Sequence, residues 1–433
     1  MRSAFICLAA SALWAIAHAG ETLTLEKALS LGKQRNGVIL AALRDLDAAR
    51  ARLAQSRSGF FPAITFSYGY DDQRTDNFRL PAGDPLRTLK SRGTTGTLST
   101  SLTLLDTGER SLGVRSASAG LESQKFSTLQ TLRTTLADVY ARFVEALRSQ
   151  ELLRAAQAEV GRADDVLRQA EAQAKVGDIA EKDVYQPRAD ALNAKVSLLA
   201  AQNGANKSQA DLKAGIGWDY SQQLPALNPL DQASSEEGPF DLQAIIRAGL
   251  QNRSDLKSQR SSVDQLNVAV KQARLAYGPT LIADYSYIRQ GGSLADNGNS
   301  AFSILVSYPL FDGDNRRQQL RIVESSLASA RFILVQSERE AAAEIESLVR
   351  ENTLDRERIL AANLALEAAR VNFDKVFKAK QLGAAGADVV ALSTAQASLV
   401  TAETNAIQAL YDYAIARVRL RLATGLPVPG EAE

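Results

Sequence analysis

From Asp106 to Gly177 the chain runs for about seventy residues without a proline, with an apolar residue at every third or fourth position. In the second half of this run Leu153, Ala156, Val160, Ala163, Leu167, Ala170 and Ala174 step alternately by three and four, the spacing of a heptad seam. At 1.5 Å per residue, a helix of about 70 residues is roughly 100 Å long. No small domain can bury such a rod along its whole length, so the rod must lie against other rods. The composition agrees: 45% of residues are hydrophobic but only 6% are aromatic, which suits closely packed long helices.

The chain opens with Arg2, an apolar run from Ala4 to Ala17, and Ala17-His18-Ala19. This pattern reads as a secretory signal peptide over residues 1–19 with a small-residue cleavage site. A membrane-spanning helix needs about 20 apolar residues, more than are present, and no lipobox precedes Cys7. Cleavage removes Met1, Cys7 and His18, the single Met, Cys and His of the sequence. A mature chain without thiol or imidazole excludes thiol nucleophiles, Ser/His/Asp triads, disulfides and most zinc or copper sites. The expectation is therefore a protein that is not an enzyme and has no catalytic residue, no metal site and no cofactor. Loss of Arg2 leaves 49 basic against 49 acidic residues, so nothing suggests a nucleic-acid partner. Past the signal no run of 18 apolar residues occurs, and a membrane role would have to come from strands.

The chain also contains itself twice. At an offset of 217, Leu25 aligns with Leu242, Gly32 with Gly249, Pro62 with Pro279 and Tyr68 with Tyr285. At an offset of 206, Asp106 meets Asp312, Arg110 meets Arg316 and Gly177 meets Gly383. The heptad seam recurs at Ile359, Ala362, Leu366, Ala369, Phe373 and Val376. The expected organisation is a first repeat over 20–217, an inter-repeat equatorial linker over 218–239 and a second repeat over 240–433.

Each repeat starts with a helix, 24–58 or 241–275, that ends at a proline. A β-hairpin follows, 62–106 or 279–312. Ile64, Phe66, Tyr68 and Tyr70 share one strand face, as do Leu98, Thr100, Leu102 and Leu104; Leu281, Ala283, Tyr285 and Tyr287 repeat the pattern, then Phe302, Ile304, Val306 and Tyr308. The other face is mostly Ser and Thr. Strands of about 9 to 11 residues with an apolar face and a small polar face fit a transmembrane barrel, although a soluble hairpin packed on helices would show the same alternation. The polar stretches 71–92 and 290–300 read as outer loops. Next comes the long rod, a turn near 177 or 383, and a returning helix. The returning seams are read at Tyr185, Ala189, Leu192, Val196 and Leu199, and at Ala395, Leu399, Ala402, Ala406, Ala409 and Tyr413.

Four strands cannot close a barrel, since single-chain barrels start at about eight strands. Open edges facing lipid would cost several kcal/mol for each unsatisfied backbone group. A closed cyclic oligomer meets that need, and a homotrimer supplies twelve strands and twelve helical columns.

The duplicated helix-Pro-strand units with Pro62 and Pro279, the Leu310-Phe311-Asp312-Gly313-Asp314 turn, and Asn252-Arg253-Ser254-Asp255-Leu256 give the whole mature chain a resemblance to the TolC-like outer-membrane efflux family. The last segment is similar to the family's N-R-P-D-L, with serine for proline. The resemblance implies a mainly α fold of tandem duplicated, antiparallel coiled-coil helices with a β-barrel contribution. It further implies a trimeric exit duct in outer-membrane lipid with a large periplasmic portion. Such a duct takes substrate from an inner-membrane transporter of RND or ABC type through a periplasmic adaptor, a membrane fusion protein. Family members narrow the tunnel at its periplasmic tip with acidic residues, and Asp183 and Asp388 match that position; the competing reading makes them caps of the returning helices. Where some members carry a further acid, this chain has Ala391. Val176, Gly177, Asp178, Leu382, Gly383 and Ala384 form the tips where an adaptor would dock, and Lys175, Lys182, Lys378 and Lys380 are candidates for closing ion pairs. The alternative from another class is a periplasmic coiled-coil adaptor or scaffold without a barrel. The exported substrate is not legible in the sequence.

Overall fold

The heptad run folds as a single 67-residue helix, and the second half contains a twin of 67 residues. A computed structural model describes residues 22–78, 87–177, 179–230, 241–292, 297–382 and 388–431. The expected signal peptide, Asp178, Gly383, Ala384 and residues 231–239 of the inter-repeat linker lie outside these. The elements in order are α1 (Leu25–Arg35), α2 (Gly37–Ser58), β1 (Ala63–Phe78), β2 (Arg87–Leu105), α3 (Glu109–Lys175), a 3-10 turn (Glu181–Val184) and α4 (Tyr185–Ile216). The second half repeats them as α5 (Leu242–Asn252), α6 (Ser254–Leu275), β3 (Thr280–Gly292), β4 (Asn297–Ser307), α7 (Asn315–Gln381) and α8 (Val389–Ala423). The chain forms two compact units. One holds the residues up to Arg44 with Ser127–Leu256 and Ser337–Glu433; the other holds Asp45–Phe126 and Lys257–Gln336.

The first helix of each half, expected in one piece, is broken. Asn36 and Arg253 take non-helical backbone angles, with ψ of 122° and 127°, between two helical segments. Polar side chains hold each break against the end of a returning helix. Asn36 accepts the Val38 N–H and donates to the Gly215 carbonyl at 2.8 Å. Arg253 donates to the Ala423 carbonyl and is pinned by Asp255 and Glu344. Those returning helices terminate in left-handed glycines, Gly217 (φ 65°) and Gly425 (φ 69°). A Cβ on Gly217 would lie 2.9 Å from the Arg35 carbonyl oxygen, and one on Gly425 would lie 2.6 Å from the Asn252 carbonyl carbon, so only glycine lets the two turns touch.

Around this junction the first unit has its main core. Leu136, Val139, Phe143 and Val144 of α3 are fully buried with Leu29 of α1 and with Leu212 and Ile216 of α4. Burying each such side chain contributes about 1.5–3 kcal/mol. Ile345 and Val349 of α7 make the matching cluster with Leu420 and Ala423 of α8. The segment after α8 folds back here. Arg133 of α3, 8% exposed, makes a bidentate pair with Glu431 and also donates to Ser254 Oγ and the Gly425 carbonyl.

In the second unit the four strands form one antiparallel sheet in the order β1-β2-β3-β4, with the two hairpins joined through β2 and β3. Register aligns the alternating stripes of all four strands. Ile64 faces Thr100, Thr100 faces Tyr285 and Tyr285 faces Phe302; Leu102 faces Ala283, which faces Ile304. The apolar stripe is therefore one continuous face, and it is open: Ile64, Phe66 and Phe302 are 68, 70 and 68% exposed. At 16, 19, 13 and 11 residues, three of the strands exceed the expected length. The difference lies in the stretches read as loops. Beyond Tyr70 the ladder continues into polar residues, where Arg92 pairs with Asp72, so a charged β-ribbon extends the apolar band. Among the described residues no helix is long and apolar enough to cross a membrane.

Candidate functional site

The helical tips arise from chain reversals between α3 and α4 and between α7 and α8. α3 ends at Lys175, and Gly177 (φ 81°) donates to the Ala174 carbonyl at 3.1 Å. The 3-10 turn then leads into α4, whose first turns anchor on buried Val184 and Pro187. Asp183 is exposed and lies inside that turn; the residue preceding α4 is Val184, and no side chain caps it. The capping reading therefore fails for Asp183. It holds for Asp388, which precedes α8 with extended angles and accepts the Ala391 N–H on Oδ1 at 2.7 Å. The apolar tip residues Val176 and Leu382 are 80 and 85% exposed.

Among the described residues none of Lys175, Lys182, Lys378 and Lys380 enters an ion pair within the chain. Three are exposed, but Lys380 is not: it is 7% exposed and its Nζ has no hydrogen-bond partner among the described residues. Burial pushes its ammonium below the ordinary value of 10.5, and Asp388 opposes that shift. Lys380 follows on the same helix as the tip core, in which Phe373 and Phe377 stack at 5.9 Å and Val166, Leu392, Ala395 and Leu399 are buried. A sequence signal for this existed, because the seam 366, 369, 373, 376 continues by a step of four to 380.

Above the tip, polar contacts tie the two helical hairpins together, and these were not foreseen. Glu403 of α8, with its side chain 14% exposed, binds Arg162 of α3 at 2.8 Å and Arg370 of α7 at 3.9 Å. Asp190 of α4 accepts from Ser393 of α8 at 2.8 Å. Burial raises the neighbouring Glu159 carboxyl, with Arg162 opposing, and burial also raises Asp355, helped by Glu351. Among the described residues no group of three or more His, Cys, Asp or Glu could hold a metal ion.

The seams fare unequally. Those of α3, α7 and α8 are buried or half-buried, with Ala156, Ala163, Ala170, Phe373, Ala395 and Leu399 among the closed positions. On α4 the expected line is wrong for the single chain. Tyr185, Leu192, Val196 and Leu199 point outward, and α4 closes on α3 through Ala191 and Ala194 instead.

Comparison with known proteins accords with this architecture. The model of the outer membrane efflux protein family matches residues 28–217 and 245–426. The outer membrane protein TolC of Vibrio cholerae is 26% identical, covering 98% of this chain and 94% of its own length. The outer membrane efflux protein BepC of Brucella suis is 23% identical, covering 95% of this chain and 89% of its own. The crystal structure of the Campylobacter jejuni CmeC outer membrane channel shares the fold with a TM-score of 0.80 at 17% identity, covering 94% of this chain and 87% of that one. With its paired long helical hairpins, open apolar sheet face and two matched halves, the chain belongs to the outer membrane efflux protein family, located in the outer membrane with a large periplasmic portion.

Proposed function

We propose that the chain is a passive exit duct of a tripartite export system, without catalysis of its own, assembled as a homotrimer. Three sheets close a twelve-stranded barrel, and the helical hairpins extend it as a tunnel toward an inner-membrane transporter. One observation carries the reading: the four-stranded sheet ends in two edge strands, β1 and β4, whose apolar residues stand open. Among the described residues neither edge has a partner, and edges in lipid demand closure by further copies. The joined hairpins and the family match speak against a soluble adaptor or scaffold. The exposed tips around Val176, Gly177 and Leu382 are the surface offered to a periplasmic adaptor, and Asp388, at the start of α8, is the candidate acid of the constriction. The test is reconstitution in planar bilayers with native mass spectrometry. Trimers with defined conductance are expected, and Asp388→Ala is expected to alter cation block. A monomer without conductance refutes the duct, and unchanged cation block leaves Asp388 as a helix cap.

A further inference from the structure

Helix α4 carries two apolar stripes on opposite sides. The inner one, through Pro187, Ala191 and Ala194, is buried; the outer one, through Tyr185, Leu192, Val196 and Leu199, is 63, 58, 66 and 64% exposed. At 3.6 residues per turn, the four outer side chains fall within an arc of roughly 60°. Helix α7 has the same construction. Opposite buried Phe373, it exposes Leu360, Leu364 and Val371 by 64, 59 and 46%. A shallow groove of about 480 Å³ runs there between Leu364, Glu367, Ala368, Val371, Asn372 and Lys375. An apolar stripe left exposed among the described residues marks an interface.

We propose, building on the oligomeric duct above, that the outer stripe of α4 in one copy packs against the outer stripe of α7 in the next, in one defined antiparallel register. The two faces differ, so the contact is head to tail and closes as a ring. Contacts within the chain set the height. Lys195 reaches Asp164 on α3, nearby Arg162 reaches Glu403 on α8, and Glu403 reaches Arg370 on α7. Lys195 is thus level with residues near 370, while α4 leaves its tip and α7 approaches its own. At that height one register places Leu199 against Leu364 and Leu192 against Val371. The same register sets Lys195 opposite Glu367 and Arg188 opposite Asp374. Helical spacing puts both bases on one flank of the α4 stripe and both acids on the flank of α7 that antiparallel packing brings to the same side. Arg188 and Lys195 already hold Glu171 and Asp164, with side chains 53% exposed in both cases, so the new pairs extend existing ones.

Disulfide trapping in the full chain tests the register. Leu199→Cys combined with Leu364→Cys, oxidised in outer-membrane vesicles, is expected to give covalent dimers and trimers that reductant dissolves. Either substitution alone should give none. Leu199→Cys with Val371→Cys is displaced by about 10 Å along the helix and should link at least tenfold more slowly. Equal rates, or linkage confined to single chains, would overturn the proposal. Native mass spectrometry of the unoxidised double variant separates the two failures: a trimer that does not link refutes this register alone, whereas a monomer refutes the oligomeric duct as well.

Discussion

Removing the carboxylate of Glu431 tests how the segment after α8 is held. In the native chain Glu431 receives three charge-assisted hydrogen bonds from Arg133, at 2.8 to 3.0 Å, and its Oε2 accepts the Val428 N–H at 3.1 Å. The two side chains are 10 and 15% exposed, so the pair is nearly buried. Glu431→Ala leaves the Arg133 guanidinium in place with only Ser254 Oγ and the Gly425 carbonyl as partners. Leaving one member of a buried pair uncompensated costs about 3–5 kcal/mol. Because the segment can open without unfolding the long helices, that cost is expected in local opening rather than in the global transition. Taking about 3 kcal/mol, hydrogen-exchange protection of the Leu426 and Val428 amides should fall roughly 150-fold, while protection in the middle of α3 stays unchanged. Adding Arg133→Met should recover part of the loss, since no buried charge then remains. Protection within threefold of wild type in Glu431→Ala would refute the reasoning, because it would mean the pair contributes nothing to holding the segment.

Lys380→Met should stabilise the tip by removing a buried ammonium with no hydrogen-bond partner among the described residues. The folded-state value of Lys380 is lowered, so the unfolded chain binds more protons between that value and 10.5. Wild-type stability should therefore rise with pH through this window, and thermal melts of Lys380→Met should lack that contribution. Gly425→Ala should destabilise the junction far more than Gly177→Ala, although both glycines have positive φ. The first forces a Cβ within 2.8 Å of the Asn252 backbone, whereas around the second nothing lies within 4 Å and only the left-handed cost of about 1–2 kcal/mol applies. Melting temperatures of the two variants compare them directly. Asp388→Asn should keep most of the α8 cap, Asp388→Ala should lose about 1 kcal/mol, and Asp183→Ala should lose nothing through capping, as read by exchange at the first turns of α8 and α4.

The sequence by itself determined every property that depends on period and punctuation. The three-four spacing of Leu153 to Ala174 specified a helix long enough to require partners. Alternation around Phe66 and Phe302 specified strands with one apolar face, and the repeated prolines and glycines marked two like halves. Tertiary structure decided which neighbour each stripe meets. The breaks at Asn36 and Arg253 depend on carbonyls of Gly215 and Ala423, nearly 180 and 170 residues away along the chain. Lys380 is buried because a seam position stays a seam position whatever residue occupies it. Helix α4 makes the same point most sharply. It has two apolar stripes of equal period, and the chain itself buries only the one lined by Ala191 and Ala194, since small side chains let α3 approach closely. Periodicity is local and says that a face will be covered. The identity of the covering surface is a long-range choice, set by the packing of whole helices and, in the proposed ring, by a second copy of the chain against Leu192 and Leu199.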